Sequence, residues 1–511
     1  MTQTWKKIAT VSLAAVMLTG SLAGCGKKAV SIDKENPSIN VMTKAYNTES
    51  ASPDSPVLQK LEEFLGTKLN ITWVPSTSYD EKVTAAMGSG EYPQVMLVGS
   101  RSSSVIQNSR AGTFWDVTDK LTDAEKFPNL AQTDPTVNHN TSIDGKVYGV
   151  YRSRELGRAG VSIRKDWLDK LGLEQPKTID DFYNVLKAFK EQDPNGNGEA
   201  DEIPYTTRNT QAGVLAFMEA FGISGFEANE QFFIEDGQVK YAYTDPRCKE
   251  ALEFINKLYS EGLIDSEYAT NDTNVWLSRL TNEVSGACQD TTARAYSLGT
   301  QVRAANADSD AYFVVVAPPK GPDGTQMTTS QMQAIRGFTA ISADSPYIKE
   351  IVQLFDYFYS EEGSLLMNFG IEGETYTMEN GKPTYTENIA NDSQGRSILS
   401  MLNIYGHREW AYKQDIGYED ALLDETYVNY RNDMEQYIRP TIPALSFTEE
   451  EREVINSTYT EIQTYKDEMI NKFIMGKEPL DNFDSFVQTL KNMGIDDVLA
   501  VEQAAYDRYV K

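Results

Sequence analysis

Residues 193–202, DPNGNGEADE, gather side-chain oxygens at the spacing that holds a hard cation. Asp193, Asn195 and Asn197 occupy positions 1, 3 and 5 of a calcium-loop pattern. Gly198 at position 6 permits the sharp turn, Glu199 at position 7 offers a backbone carbonyl, and Asp201 falls at position 9. The bidentate glutamate expected at position 12 is replaced by Pro204, and Glu202, two residues earlier, is the acid that can close the shell. Asn, Gly and Asp also favour turns for local reasons, but a turn needs fewer oxygen side chains than this run supplies. The expected ion is calcium, on Asp193, Asn195, Asn197, Glu199, Asp201 and Glu202. A shell closed by protein donors leaves no open position for a substrate, so the expected role is structural.

The elements around the loop are legible too. Val161 and Ile163 are strand-like, and Thr178 with Asp181 makes a capping box that opens a helix. Phe182, Val185, Leu186 and Phe189 give that helix one apolar face, and it runs directly into the loop.

Earlier in the chain strands and helices alternate. Residues 39–42 read as a strand. Val57, Leu58, Leu61, Phe64 and Leu65 form a helical stripe stopped by Gly66, and Leu69, Ile71 and Trp73 alternate as the next strand. A helix ends near Gly88 and Gly90, and residues 94–98 are an apolar third strand. Residues 144–151 read as a turn and strand, 313–317 and 333–341 as strand regions, and 321–324 as a turn. A helix opens at Asp245 and Pro246 and closes at Gly262; another runs from Pro346 to Gly363. The last third is helical, with a capping box at Thr448 and Glu451. Strand–helix–strand order with short connections implies parallel strands in an α/β layer architecture.

With 511 residues, the chain has material for two or three domains. Its formal charge of −28 argues against nucleic-acid backbones and anionic membrane surfaces as partners. Only His139 and His407 occur, which excludes a histidine-rich metal site. No GxSxG, HExxH, Walker A or GxGxxG pattern is present. Among 75 acidic residues, a carboxylate pair suited to glycoside hydrolysis remains a formal alternative, though none sits in a recognisable catalytic string.

The N-terminus reads as an export signal. Lys6 and Lys7 precede a short apolar run at residues 8–18, and the sequence LAGC ends at Cys25. This resembles a bacterial lipobox, in which the peptide is cut before the cysteine and the thiol takes diacylglycerol. Residues 1–24 are then the signal peptide, Cys25 the lipidated residue (with a further acyl chain such as palmitate), and 25–37 a polar tether. Removing residues 1–24 takes away two lysines and no acid, leaving −30. Cys248 and Cys288 could be bridged or free; export permits either.

Several strings narrow the class: residues 79–93 (YDEKVTAAMGSGEYP), 144–150 (DGKVYGV), 166–172 (DWLDKLG), 373–383 (GETYTMENGKP) and 503–509 (QAAYDRY). With the lipobox and the calcium-like loop, they resemble extracellular solute-binding lipoproteins of carbohydrate ABC importers, in the large oligosaccharide-binding branch that includes alginate-binding proteins. The resemblance covers nearly the whole mature chain. It implies a two-lobed, type II periplasmic-binding-protein-like α/β fold, its discontinuous lobes joined by a hinge, with a helical C-terminal portion. The expected division is 38–152 with 312–380 for the first lobe and 153–311 with 381–511 for the second. It also implies a structural calcium, an oligosaccharide ligand, permease partners, a monomer, and a place on the outer face of the cytoplasmic membrane.

A sugar offers hydroxyl edges and apolar C–H faces, so its site needs aromatic platforms beside carboxylates and arginines. Trp276 and Trp410 are the leading platforms, and Tyr46 lies just beyond the first strand, where ligands meet open α/β sheets. Tyr405, Asp290 and Arg336 complete the expected ligand set. Arg152, Arg154 and Arg158 cluster near the expected lobe crossing and could clamp an acidic sugar, but in a chain this acidic, surface ion pairing is the better account of them.

Overall fold

The computed structural model describes residues 37–45, 52, 54–75, 78–98, 103–133, 138, 142–154, 159–208, 212–223, 231–329, 338–390, 398–406, 411–414, 416–421, 423–439, 442–443, 445 and 447–510. Its two main sheets use strands β1 (Ser38–Ala45), β2 (Lys68–Pro75), β3 (Val95–Val98), β4 (Gly149–Tyr151), β5 (Ala159–Arg164), β6 (Ile203–Tyr205), β7 (Ser285–Thr291), β8 (Phe313–Val316) and β9 (Phe338–Ile341).

The first sheet has the order β2-β1-β3-β9-β4. β1 is parallel to β2 and β3, placing Val41 beside Ile71 on one side and Val95 on the other, while β9 runs against both β3 and β4. The helix Pro56–Leu65 covers one face with Val57, Leu58, Leu61 and Leu65 and ends at Gly66 in the left-handed conformation, as its sequence requires. Ile351, Val352, Leu354, Phe355 and Phe358 of the helix Ile348–Tyr359 join the same core. Tyr79, Val83 and Met87 of the helix Tyr79–Ser89 pack with Met42, Met96 and Val98 in a separate cluster.

The second sheet has the order β8-β5-β7-β6, with β5 antiparallel to β7 and β8, and β7 parallel to β6. Its core takes Phe182, Val185, Leu186 and Phe189 from the capped helix Ile179–Glu191, and Leu252, Ile255 and Leu258 from the helix Arg247–Ser260. The C-terminal helices add Ile470, Phe473, Phe486, Leu490 and Val498. Each such side chain, fully removed from water, contributes roughly 1.5–3 kcal/mol.

The chain divides between these cores differently from the expected scheme. β8 pairs with β5, so Phe313–Val316 belongs to the second sheet and not with residues 338–380. Ala411 and Tyr412 pack into the core of the first sheet, and Met401, Leu402 and Tyr418 pack with Phe369, Tyr376 and Tyr385, so residues 398–406, 411–414 and 416–421 lie with the first lobe. Tyr427 returns to the second, beside Cys288 and Val315. The segments that pass between lobes pair as two short parallel ladders, Ser153–Arg154 with Lys413–Gln414 and Thr328–Thr329 with Ile438–Arg439.

Two local expectations also change. The helix expected from Pro346 to Gly363 is broken at Ser360, whose hydroxyl accepts from the Gly363 amide and caps a second helix, Glu361–Phe369. Gly363 is therefore a packing glycine, not a terminator: a Cβ there would sit 1.8 Å from the Tyr357 carbonyl oxygen. Cys248 and Cys288 are free thiols, each buried in a different core, and burial pushes both well above the usual thiol range. No helix among the described residues is long and apolar enough to cross a membrane.

Candidate functional site

Strand directions fix where the two sheets face each other. The chain leaves the first sheet at Tyr151, the end of β4, and enters the second at Ala159, the start of β5. It leaves the second at Val316, the end of β8, and re-enters the first at Phe338, the start of β9. These two crossings therefore join the same pair of sheet edges. In the first sheet that edge carries Ala45, Pro75 and Val98, the C-terminal ends of β1, β2 and β3. In the second it carries Tyr205 and Thr291, the ends of β6 and β7. A groove between these edges is where open α/β sheets bind ligands.

On the second edge a set of polar side chains is held in place. Asp265, 2% exposed, accepts hydrogen bonds from Thr206 Oγ1 at 2.8 Å and Asn271 Nδ2 at 2.7 Å, and pairs with Arg279. Asn271 Nδ2 also donates to the Thr207 carbonyl at 3.2 Å. This anchors the turn after β6 and presents Arg208. The Arg208 guanidinium pairs with the Asp290 carboxylate and lies 4.5 Å from the centre of the Trp276 ring. Arg294 approaches from the helix Thr292–Ala305, its Nε 3.9 Å from the same Asp290 oxygen and its guanidinium 5.9 Å from the Trp276 ring.

The expected ligand residues are distributed unevenly. Asp290 stands on the groove edge, with its side chain 8% exposed. Trp276 is nearby but wholly enclosed, packed with Leu280, Cys288 and Leu298 beneath Arg208. A ring without exposed surface cannot stack a sugar in this arrangement; it serves as the floor that orients the arginine. Tyr405 is half-buried against the first-lobe clusters. Tyr46, Arg336 and Trp410 lie outside the described residues, as do Cys25 and Arg158. Arg152 lies 5.8 Å from the Tyr412 ring centre. Arg208 and Arg294 were not among the expected residues. The available signal was the polar run after a strand, Thr206-Thr207-Arg208, and the Asp290–Arg294 spacing at the start of a helix.

The calcium-like loop lies elsewhere. It precedes Ile203, the N-terminal end of β6, which is the edge of the second sheet away from the groove. Asp193 adopts φ 46°, and its carboxylate accepts from the Gly196 and Gly198 amides at 2.8 and 3.0 Å. The Asn195 side-chain oxygen accepts from the Asn197 amide at 3.0 Å, and that of Asn197 from the Glu199 amide at 2.7 Å. Asn195 and Asn197 donate to Asp201, at 3.4 and 3.1 Å. Lys170 Nζ braces the entry by donating to the Pro194 carbonyl at 2.7 Å. No group of three or more His, Cys, Asp or Glu side chains among the described residues converges as a metal cage. Yet both Glu202 carboxylate oxygens are buried without a hydrogen-bond partner. Burial, then the carboxylates of Asp201 and Asp193, push Glu202 above the usual range. A cation matched to hard oxygens removes this conflict, so the donor set fits calcium.

The family model described as bacterial extracellular solute-binding protein matches residues 44–364. Lipoprotein LipO of Bacillus subtilis (strain 168) is 30% identical over 502 residues, spanning 96% of each chain. The fructooligosaccharide ABC transporter substrate-binding protein FusA of Streptococcus pneumoniae is 27% identical, over 98% of this chain and 99% of that one. A structure of its EF-hand mutant with fructo-nystose superposes with a TM-score of 0.75, at 22% identity over 92% of this chain and 99% of that one. The alginate-binding protein AlgQ2, solved without calcium ion, gives a TM-score of 0.76 at 24% identity, over 94% of this chain and all of that one.

Proposed function

Since the chain belongs to the bacterial extracellular solute-binding protein family, we propose that it captures an oligosaccharide in the groove between its lobes and hands it to the permease subunits of an ABC importer. The family is one of binding proteins, not enzymes. The observation that carries the reading is geometric: the crossings from Tyr151 to Ala159 and from Val316 to Phe338 join the same edge of each sheet, so hinge closure would bring those edges together. Closure expels water and completes contacts from both sides, with hydroxyls met by Asp290 and Arg208 on the second edge. Tyr46, Arg336 and Trp410 are our candidates for the rest of the contact surface, and Tyr405 for its margin.

Calcium serves as a structural cation in this reading. Asp193, Asn195, Asn197, the Glu199 carbonyl, Asp201 and Glu202 hold it, on the edge remote from the groove. Supporting this, one structural neighbour was solved without calcium ion and another as an EF-hand mutant. Cys25 carries the lipid that retains the protein on the outer face of the membrane, where a diacyl anchor binds far more durably than one chain. The protein acts as a monomer.

Small-angle scattering with and without a panel of oligosaccharides tests the central reading. Compaction with at least one sugar is expected. An unchanged radius, with no heat of binding across the panel, would count against it.

A further inference from the structure

We propose that the Arg208–Asp290–Arg294 cluster selects an oligosaccharide bearing carboxylates, a uronate chain, over a neutral one; this rests on the binding function proposed above. The names of the relatives do not decide the matter, since they include a fructooligosaccharide binder and an alginate binder. The charges on this chain do.

Two guanidiniums converge on one carboxylate. Arg208 pairs with Asp290, and Arg294 stands 3.9 Å from the same oxygen. Neither arginine has another acidic partner among the described residues. Two guanidiniums therefore face one carboxylate, and one positive charge has no acidic partner among the described residues. The local field adds to it, because Asp290 sits at the start of the 14-residue helix Thr292–Ala305, whose N-terminus carries partial positive charge. In a chain of net −28, a basic focus on the groove edge departs from the average surface. Distant acids do not cancel it, since the screening length is about 8 Å at physiological salt.

The cluster is also built rather than loose. Asp290 is 8% exposed and its Oδ1 accepts from the Thr291 amide at 2.7 Å. The buried Trp276 ring supports the face of Arg208, and the Asp265–Asn271 network holds the backbone from which Arg208 extends. Both arginines keep exposed surface, 23% for Arg208 and 36% for Arg294, so their remaining N–H donors can reach a ligand. A neutral sugar can use Asp290 as an acceptor for its hydroxyls but leaves the extra guanidinium charge unpaired. A ring carboxylate supplies the missing anion and accepts two parallel N–H bonds.

The discriminating experiment uses oligogalacturonates and the same oligomers with every carboxyl methyl-esterified, which keeps ring and linkage and removes only charge. Oligomannuronate and neutral fructo- and manno-oligosaccharides complete the panel, with binding followed by calorimetry. A free acid should bind at least about ten-fold more tightly than its ester or the neutral oligomers, with affinity falling as salt rises. Arg208→Gln and Arg294→Gln, each checked for folding by circular dichroism, should collapse that ratio. Equal or tighter binding of esters or neutral sugars would overturn the uronate assignment and leave the binding function standing. Binding of no saccharide in the panel would overturn both. A charge preference unaffected by either arginine variant would overturn the role of this cluster.

Discussion

Arg110 of the first lobe reaches Glu449 of the second, with Nη1 3.6 Å from Oε2. The same guanidinium holds Asp144 through Nε and Nη2 at 2.8 and 3.2 Å, and that hydrogen bonding keeps the Asp144 carboxyl below its usual range. Glu449 stands in the first turn of the helix Glu449–Val454, opened by Thr448, so this ion pair adds a tie between lobes that the crossing segments join covalently.

Exposed pairs are worth little, about 0.2–1 kcal/mol, and Glu449 is well exposed. Glu449→Gln should therefore loosen closure only modestly, weakening ligand binding by less than about five-fold. Ligand-free scattering should shift toward a larger radius at low salt, and the difference from wild type should vanish at high salt. Identical scattering at low salt would remove the pair from any role in closure.

Calcium should raise the melting temperature, chelation should lower it, and Asp193→Ala should abolish the response. At a hundred-fold excess over the dissociation constant, the gain is about 2.7 kcal/mol. The pH dependence has a definite sign. Glu202 has its folded pKa raised, so in the metal-free protein its contribution is full below the unfolded value and is lost as pH rises through the folded one. Calcium needs the ionised carboxylate, so its stabilising effect should grow from about pH 4 to about pH 7. A calcium-induced shift in melting temperature that shrinks over that range would contradict the ligand role of Glu202.

Two glycines should respond differently to alanine. At Gly66 a Cβ meets nothing within 4 Å, and only the left-handed backbone, φ 65°, opposes it; the cost is about 1 kcal/mol. At Gly363 a Cβ collides with the Tyr357 backbone, so Gly363→Ala should cost more, about 1–3 kcal/mol, as the two helices shift apart. Urea titration of both variants checks the order.

Trp276 offers a test of its structural placement. As an enclosed residue it should be needed for folding without any sugar, and Trp276→Ala should lose about 3–5 kcal/mol. A variant of wild-type stability with weakened sugar binding would instead make the ring a platform.

Features set by neighbouring residues were legible in the sequence. The capping boxes at Thr178 and Thr448 and the stop at Gly66 depend on a few successive residues, and these local patterns are present in the structure. Features set by distant pairing were not. Nothing within Phe313–Val316 says that its partner is Ala159–Arg164, so the lobe division was misplaced there. The break at Ser360 lies just beyond the apolar stripe ending at Phe358, in the polar run Ser360-Glu361-Glu362 that caps the next helix. Trp276 was read from its residue type, yet its exposure is decided by Arg208 and Leu298, which the chain brings from either side.

The sealed thiols have a practical use. Cys248 and Cys288 sit at 0% exposure in separate cores of the second lobe, so a soluble form starting after Cys25 offers maleimide dyes no native target while it stays folded. Cysteines introduced at exposed positions such as Glu63 and Asp484 would then take donor and acceptor alone, one on each lobe. Opening and shutting of the protein becomes measurable one molecule at a time, with its own cysteines left in place.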